Sequence, residues 1–265
     1  MIRKILISTA IALPLMFAQD AKSFEFPDKP PIGELSANIG YATNYIWRGE
    51  EQSGGIHVNG GFDWSMNLVA DYVDIYVGTW AGSMDTENDA NNAGHGLELD
   101  YYGGFAGAVP MLEDYLSYDG GLLYYDYPGA SSTAGNKGLE FLEYYISFSL
   151  ALPFDASISQ YYGYSPTGWS QNFGYQYLNT SAEVPIPSTP FTVYGGVGFS
   201  IDDSDSTDTS SINTGYTDYL AGIATSAFGL DWALQYTTTS RYCGSTKDEL
   251  CAGGDHVVGI ISAGF

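Results

Sequence analysis

The sequence predicts an all-β fold, a transmembrane antiparallel β-barrel of about twelve strands, and three observations carry that prediction. Apolar and polar residues alternate with period two over many segments of roughly nine to thirteen residues, the length a tilted strand needs to cross a bilayer. The connections between these segments alternate between short turns and long polar loops. The chain also ends on an aromatic residue, Phe265, at the close of one such segment.

Composition frames the reading. A chain of 265 residues suits one barrel domain. It has 33 Gly and 23 Tyr but only 8 Lys plus Arg, and 45% of it is hydrophobic. Outside the N-terminus no apolar run approaches the ~20 residues of a spanning helix. The 31 Asp plus Glu give a formal net charge of −23. Nucleic acid is excluded as a partner, because counterion release from phosphates needs clustered Lys and Arg.

Residues 1–21 read as a cleaved secretory signal peptide, with Arg3 and Lys4 ahead of a weakly polar to apolar stretch from Ile5 to Ala18. Residues 22–33 hold Pro27, Pro30 and Pro31, which cannot join a ladder, and read as a periplasmic lead-in. Residues 34–265 are the barrel. Export delivers the chain to an oxidising compartment, so Cys243 and Cys251, in one polar segment, are expected to form a single loop-closing disulfide.

The first strand is expected from Leu35, with Leu35, Ala37, Ile39, Tyr41, Thr43, Tyr45 and Trp47 on one parity. The same alternation recurs in Val58, Phe62, Trp64 and Met66 against Asn59, Asp63 and Ser65, and in Val73, Ile75 and Val77 against Asp74 and Tyr76. It continues in Leu97, Leu99, Tyr101 and Phe105 against Glu98, Asp100 and Tyr102. Leu142, Tyr144, Ile146, Phe148 and Leu150 against Glu143, Tyr145, Ser147 and Ser149 are the clearest case. Phe191, Val193, Val197 and Phe199 form another apolar face, as do Leu230, Trp232, Leu234 and Tyr236. The last strand ends with Val257, Gly259, Ile261, Ala263 and Phe265 in register.

A soluble sandwich would alternate as well, so the connections decide. Short or proline-bearing turns fall at 67–71, 110–114, 152–155, 185–190 and 228–231; long polar loops fall at 81–94, 128–138, 165–172, 202–215 and 240–255. Short periplasmic turns and long extracellular loops are the asymmetry of outer-membrane barrels. Counting strands between them gives about twelve.

With the apolar parity toward lipid, the lumen receives Asp63, Asp74, Glu98, Asp100, Glu143 and Glu183, and Arg48 as the sole arginine on that parity. A lumen of this sign favours cations and disfavours acidic solutes. Arg48 could equally tie strands together by pairing with Glu98 or Asp100. Tyr76, Tyr102, Tyr145, Tyr175 and Tyr194 would either offer a stacking track for sugars or nucleosides or fill the interior. Twelve strands lie between the side-chain-filled eight and the water-filled sixteen, so partial filling is expected.

His57 and His95 are expected near the rim, and neither they nor His256 sit in a nucleophile or metal motif. Asp85, Glu87 and Asp89 lack the glycine and distal glutamate of a calcium loop. No enzyme, metal or cofactor is therefore expected. The leading reading is a channel for small cationic or neutral solutes; the alternatives are a non-transporting structural or surface-binding barrel and a barrel hydrolase.

Residues 36–52 (SANIGYATNYIWRGEEQ) carry an aromatic element before an Arg-Gly pair, in Tyr45, Trp47, Arg48 and Gly49, and residues 75–83 (IYVGTWAGS) carry Gly-Thr-Trp. Both resemble the first and third strands of the TorF-like porins, outer-membrane proteins of the Gcw_chp type. The resemblance implies a Gram-negative outer-membrane location, with lipid and lipopolysaccharide as neighbours and small solutes as cargo. It brings no known substrate or catalytic residue. The strand ending at Phe265 likewise resembles the C-terminal signal read by the barrel assembly machinery.

Overall fold

A computed structural model of the chain describes residues 33–69, 72–84, 96–129, 139–167, 174–202, 215–240 and 254–265. The signal peptide, most of the lead-in, His95, the acidic runs 85–89 and 203–208, and both cysteines lie outside the described residues.

Twelve strands form one closed antiparallel wall: β1 (Glu34–Ala42), β4 (His57–Val69), β5 (Val73–Ser83), β6 (Leu97–Ala108), β7 (Leu116–Asp126), β8 (Phe141–Ala151), β9 (Ser157–Ser165), β10 (Tyr175–Pro185), β11 (Phe191–Asp202), β12 (Tyr216–Ala227), β13 (Leu230–Thr239) and β14 (His256–Gly264). Each wall strand pairs with its neighbour in sequence, and β1 closes on β14 through Asn38–Gly264 to Ala42–Ile260. The terminal residue extends this seam: the Ala37 and Phe265 backbones exchange hydrogen bonds of 2.8 and 2.9 Å. Closure leaves no unpaired edge, which hydrocarbon demands because it offers backbone groups no partner.

Strand β8 shows how the alternation becomes two surfaces. Phe141, Glu143 and Tyr145 are buried inside, while Tyr144, Ile146, Phe148 and Leu150 are exposed on the outer wall. Outward tyrosines at the long-loop ends, among them Tyr41, Tyr101, Tyr124, Tyr144 and Tyr219, make an aromatic belt above the aliphatic band.

The first strand departs from expectation. Its pairing with β4 ends at Ala42–His57 rather than continuing to Trp47. Beyond it the chain turns inward as a separate hairpin of β2 (Ile46–Trp47) and β3 (Glu50–Glu51). The backbone bonds of this stretch go to the hairpin itself: the Gln52 amide donates to the Tyr45 carbonyl at 2.7 Å, and the Tyr45 amide donates to Ser53 Oγ at 2.8 Å. Tyr45 and Trp47 therefore enter the interior and do not share the lipid face of Leu35 and Ile39. His57, the first residue of β4, stands at the long-loop end of the wall as expected, with its side chain fully buried inside.

Candidate functional site

The hairpin turn sets the geometry of the lumen at the long-loop end. Arg48 and Gly49 both take left-handed backbone conformations, with φ of 49° and 81°. A Cβ at Gly49 would stand 2.7 Å from Cβ of Asp218 on β12 and 3.1 Å from Cβ of Thr239 on β13, so only glycine lets the tip approach that side of the wall. Ser53 Oγ donates to Asn44 Oδ1 at 2.9 Å and closes the base of the hairpin.

From this tip Arg48 Nη2 donates to both carboxylate oxygens of Glu143 on β8, at 2.8 and 2.9 Å. Neither side chain is exposed. In the strand order β8 lies well around the wall from the β1–β4 seam, so the contact bridges the lumen. The guanidinium carbon sits 4.4 Å from the Trp47 ring centre and 4.2 Å from that of Tyr177, an aromatic cage that favours a desolvated cation. Trp47 in turn packs edge-on against Tyr125 of β7 and stacks with Tyr175 of β10. The hairpin thus touches several sides of the wall and covers the lumen from within.

Beside it, on β6, Glu98 and Asp100 are both buried. The Tyr45 hydroxyl points to Glu98 Oε1 at 3.5 Å, and the Tyr45 ring stacks on His57 with centres 4.5 Å apart. Burial, and after it the Glu98 and Asp100 carboxylates, push the phenols of Tyr45 and of Tyr127, just past the end of β7, well above their ordinary range.

Below the hairpin a layer of tyrosines and carboxylates lines the middle. The Tyr76 hydroxyl bonds Asp119 at 2.5 Å and also meets Tyr145; Tyr161 donates to Glu143; Tyr102 donates to Asp63 at 2.5 Å. The register explains why these rings fit. Tyr76 lies opposite Gly104, Tyr102 opposite Gly78, Tyr145 opposite Gly121 and Gly163, and Tyr194 opposite Gly222. The rings of Tyr76, Tyr102 and Tyr194 each cover a neighbour without a side chain and lie along the wall, whereas at Gly163 the Glu143 carboxylate takes that space. Three of the five tyrosines read from the sequence follow this rule; Tyr145 stacks with Tyr161, and Tyr175 packs under Trp47.

The structure places the sequence-derived residues as follows. Glu98, Asp100 and Glu143 cluster around the hairpin, and Asp63 lies in the middle layer. Asp74 and Glu183 face inward near the short-turn end, where Asp74 accepts from Asn67 at 2.8 Å. Arg48 is on the hairpin and not on a wall strand, and its partner is Glu143 rather than Glu98 or Asp100. Reading the strands missed Asp119, Tyr125, Tyr161, Tyr177 and Asp218. Their signal was the same parity; for Asp119 and Tyr125 it is blurred because β7 is interrupted by Gly120, Gly121 and the Leu122–Leu123 pair.

A family model described as "Bacterial protein of unknown function (Gcw_chp)" matches residues 28–263. No curated protein matches the chain. Among solved structures, the NanC porin superposes with a TM-score of 0.52 at 11% identity, covering 86% of this chain and 97% of that one. The KdgM porin gives a TM-score of 0.48 at 6% identity, covering 87% and 98% of the two chains. LpxR from Salmonella typhimurium gives 0.46 at 12% identity, covering 87% and 99%. The NanC likeness is one of fold, a closed antiparallel β-barrel.

Proposed function

The chain belongs to the Gcw_chp family of bacterial proteins of unknown function, and we propose that it forms an outer-membrane channel for passive diffusion of small cationic or neutral solutes. The observation that carries this reading is the inward face of the wall, which presents Asp63, Asp74, Glu98, Asp100, Asp119, Glu143, Glu183 and Asp218 against the single cation Arg48 among its strongly basic described residues. Low-dielectric walls focus such a field and raise the local concentration of cations. The β2–β3 hairpin narrows the outer mouth, so the conductance is small. We favour the narrower TorF-like assignment on residues 36–52 and 75–83, and export through the signal peptide of residues 1–21.

A second reading, a non-transporting barrel, is favoured by the depth of burial around the hairpin, where Leu123 and Glu143 are fully covered. Single-channel recording of the refolded mature protein separates the two. Small, cation-selective steps support the channel. Silence both in the native protein and in Arg48→Ala would favour the non-transporting barrel. Outer-membrane recovery on fractionation, with different gel migration of boiled and unboiled samples, tests the location.

A further inference from the structure

Three of the short turns carry a large apolar side chain where neither the backbone nor the packing favours one. Phe228 and Gly229 form the two-residue link between Ala227 of β12 and Leu230 of β13, with φ of 60° and 76°. Phe154, at φ 64° and ψ 30°, and Asp155, at φ 61°, make the turn between β8 and β9. Met111, at φ 70°, follows Pro110 in a turn closed by the Leu112 amide, which donates to the Val109 carbonyl at 2.9 Å.

All three positions suit glycine or asparagine, because a left-handed backbone presses Cβ against the following carbonyl oxygen. Two-residue hairpin links favour Asn-Gly, and a turn led by proline in this way favours glycine in its third place. The chain puts glycine second in the Phe228–Gly229 link and not first. Packing does not hold these side chains either: Phe228 is 98% exposed, Met111 92% and Phe154 85%. One exposed apolar residue is ordinary. Three at left-handed turn tips require a medium that takes them up.

We propose that Met111, Phe154 and Phe228 are seated in phospholipid of the periplasmic leaflet, so that the short-turn rim lies within the headgroup layer and not in periplasmic water. The tips continue the lipid-facing wall. Leu150 and Ile158, at the strand ends flanking Phe154, are exposed on the outer face, as is Trp232, whose indole nitrogen donates to the Ala227 carbonyl at 3.2 Å just before Phe228. The placement of the tips favours lipid over one docked protein. Strands β7 to β12, half of the closed wall, separate the Met111 turn from the Phe228 turn. These tips therefore stand on opposite sides of the barrel, where a bilayer meets both and a partner held at one side meets one. At the boundary of headgroups and acyl chains each buries apolar area that would otherwise stand in water. The inference rests on the outer-membrane location and holds whether or not the barrel conducts.

The test uses the refolded mature protein in phosphatidylcholine vesicles, with no other protein present. Phe228→Asn gives the link its preferred Asn-Gly sequence, so the two media predict opposite signs. A tip in lipid loses its burial and the urea midpoint falls by about 0.5 M, whereas a tip in water is relieved of backbone strain and the midpoint rises. Phe154→Asn and Met111→Gly should lower it as well. A midpoint that stays or rises in Phe228→Asn would overturn the proposal. A nitroxide attached at Phe228→Cys, in the Cys243→Ser/Cys251→Ser background, reads the medium directly should the turn variants refold poorly. Its relaxation by dissolved oxygen, which concentrates in lipid, is expected to exceed its relaxation by a nickel chelate confined to water. The reverse order would overturn the lipid seat, even if a protein covers these turns in the cell. A silent bilayer, by contrast, would sink the channel reading and leave this result standing.

Discussion

Arg48 and Glu143, 95 residues apart, meet across the lumen through two hydrogen bonds donated by a single guanidinium nitrogen. The pair joins the inner hairpin to the far wall. Removing one partner from a buried pair leaves an uncompensated charge, whereas replacing both by apolar residues is often nearly neutral. Glu143→Leu should therefore destabilise the folded barrel by about 3–5 kcal/mol, and Arg48→Met/Glu143→Leu should recover most of that loss. Urea unfolding in lipid vesicles reads both, and equal stability of the single and double variants would contradict the pairing.

Gly49 positions that pair. At φ 81°, with its Cβ site 2.7 Å from Asp218, an alanine is strained and collides with the wall. Gly49→Ala should push the hairpin tip out of its seat at a cost of about 1–3 kcal/mol and enlarge the single-channel conductance. An unchanged conductance in a folded Gly49→Ala barrel would mean the hairpin does not limit the pore.

The tyrosine-over-glycine register makes a prediction about packing. A Cβ at Gly78 would overlap the Tyr102 ring and approach Asp63. Gly78→Ala should cost about 1–3 kcal/mol through overpacking. Adding Tyr102→Ala should remove part of that penalty, giving a coupling of about 1 kcal/mol in the double-mutant cycle. Strict additivity would show that the two positions do not press on each other.

Selectivity should follow the lumen carboxylates. Glu98→Gln/Asp100→Asn should shift the reversal potential in a salt gradient toward the anion side. The native preference should fade toward molar salt, where screening shortens from ~8 Å to ~3 Å. A channel already anion-selective in dilute salt would contradict the sign of the field.

Cys243 and Cys251, outside the described residues, are proposed to be bonded to each other. Closing a short loop contributes about 2–3 kcal/mol at most, so the double serine variant should keep the heat-shifted gel migration of the barrel. Two free thiols by mass spectrometry in protein taken from the cell surface would refute the pairing.

Much of the architecture was legible because a barrel wall is written in local periodicity. The alternation of Tyr144, Ile146 and Phe148 with Glu143, Tyr145 and Ser147 assigns lipid and lumen faces without knowledge of any neighbour, since a strand turns its side chains over every second residue. The turns and long loops then count the strands, and that count agrees with the closed wall of twelve. The inward placement of Asp63, Glu98, Asp100 and Glu143 follows from the same rule.

The inner hairpin was not legible, because Tyr45 and Trp47 continue the apolar parity of β1 and nothing local marks where wall pairing stops. That point is set by which hydrogen bonds win, and Ser53 and Gln52 capture the backbone of Tyr45 only once the chain has doubled back. Sequence alone determined the two faces of the wall and which carboxyl-bearing residues turn inward. The tertiary structure alone decided that Arg48 meets Glu143 and not Glu98 or Asp100, because a contact across a closed barrel depends on its curvature and not on the spacing of residues along the chain.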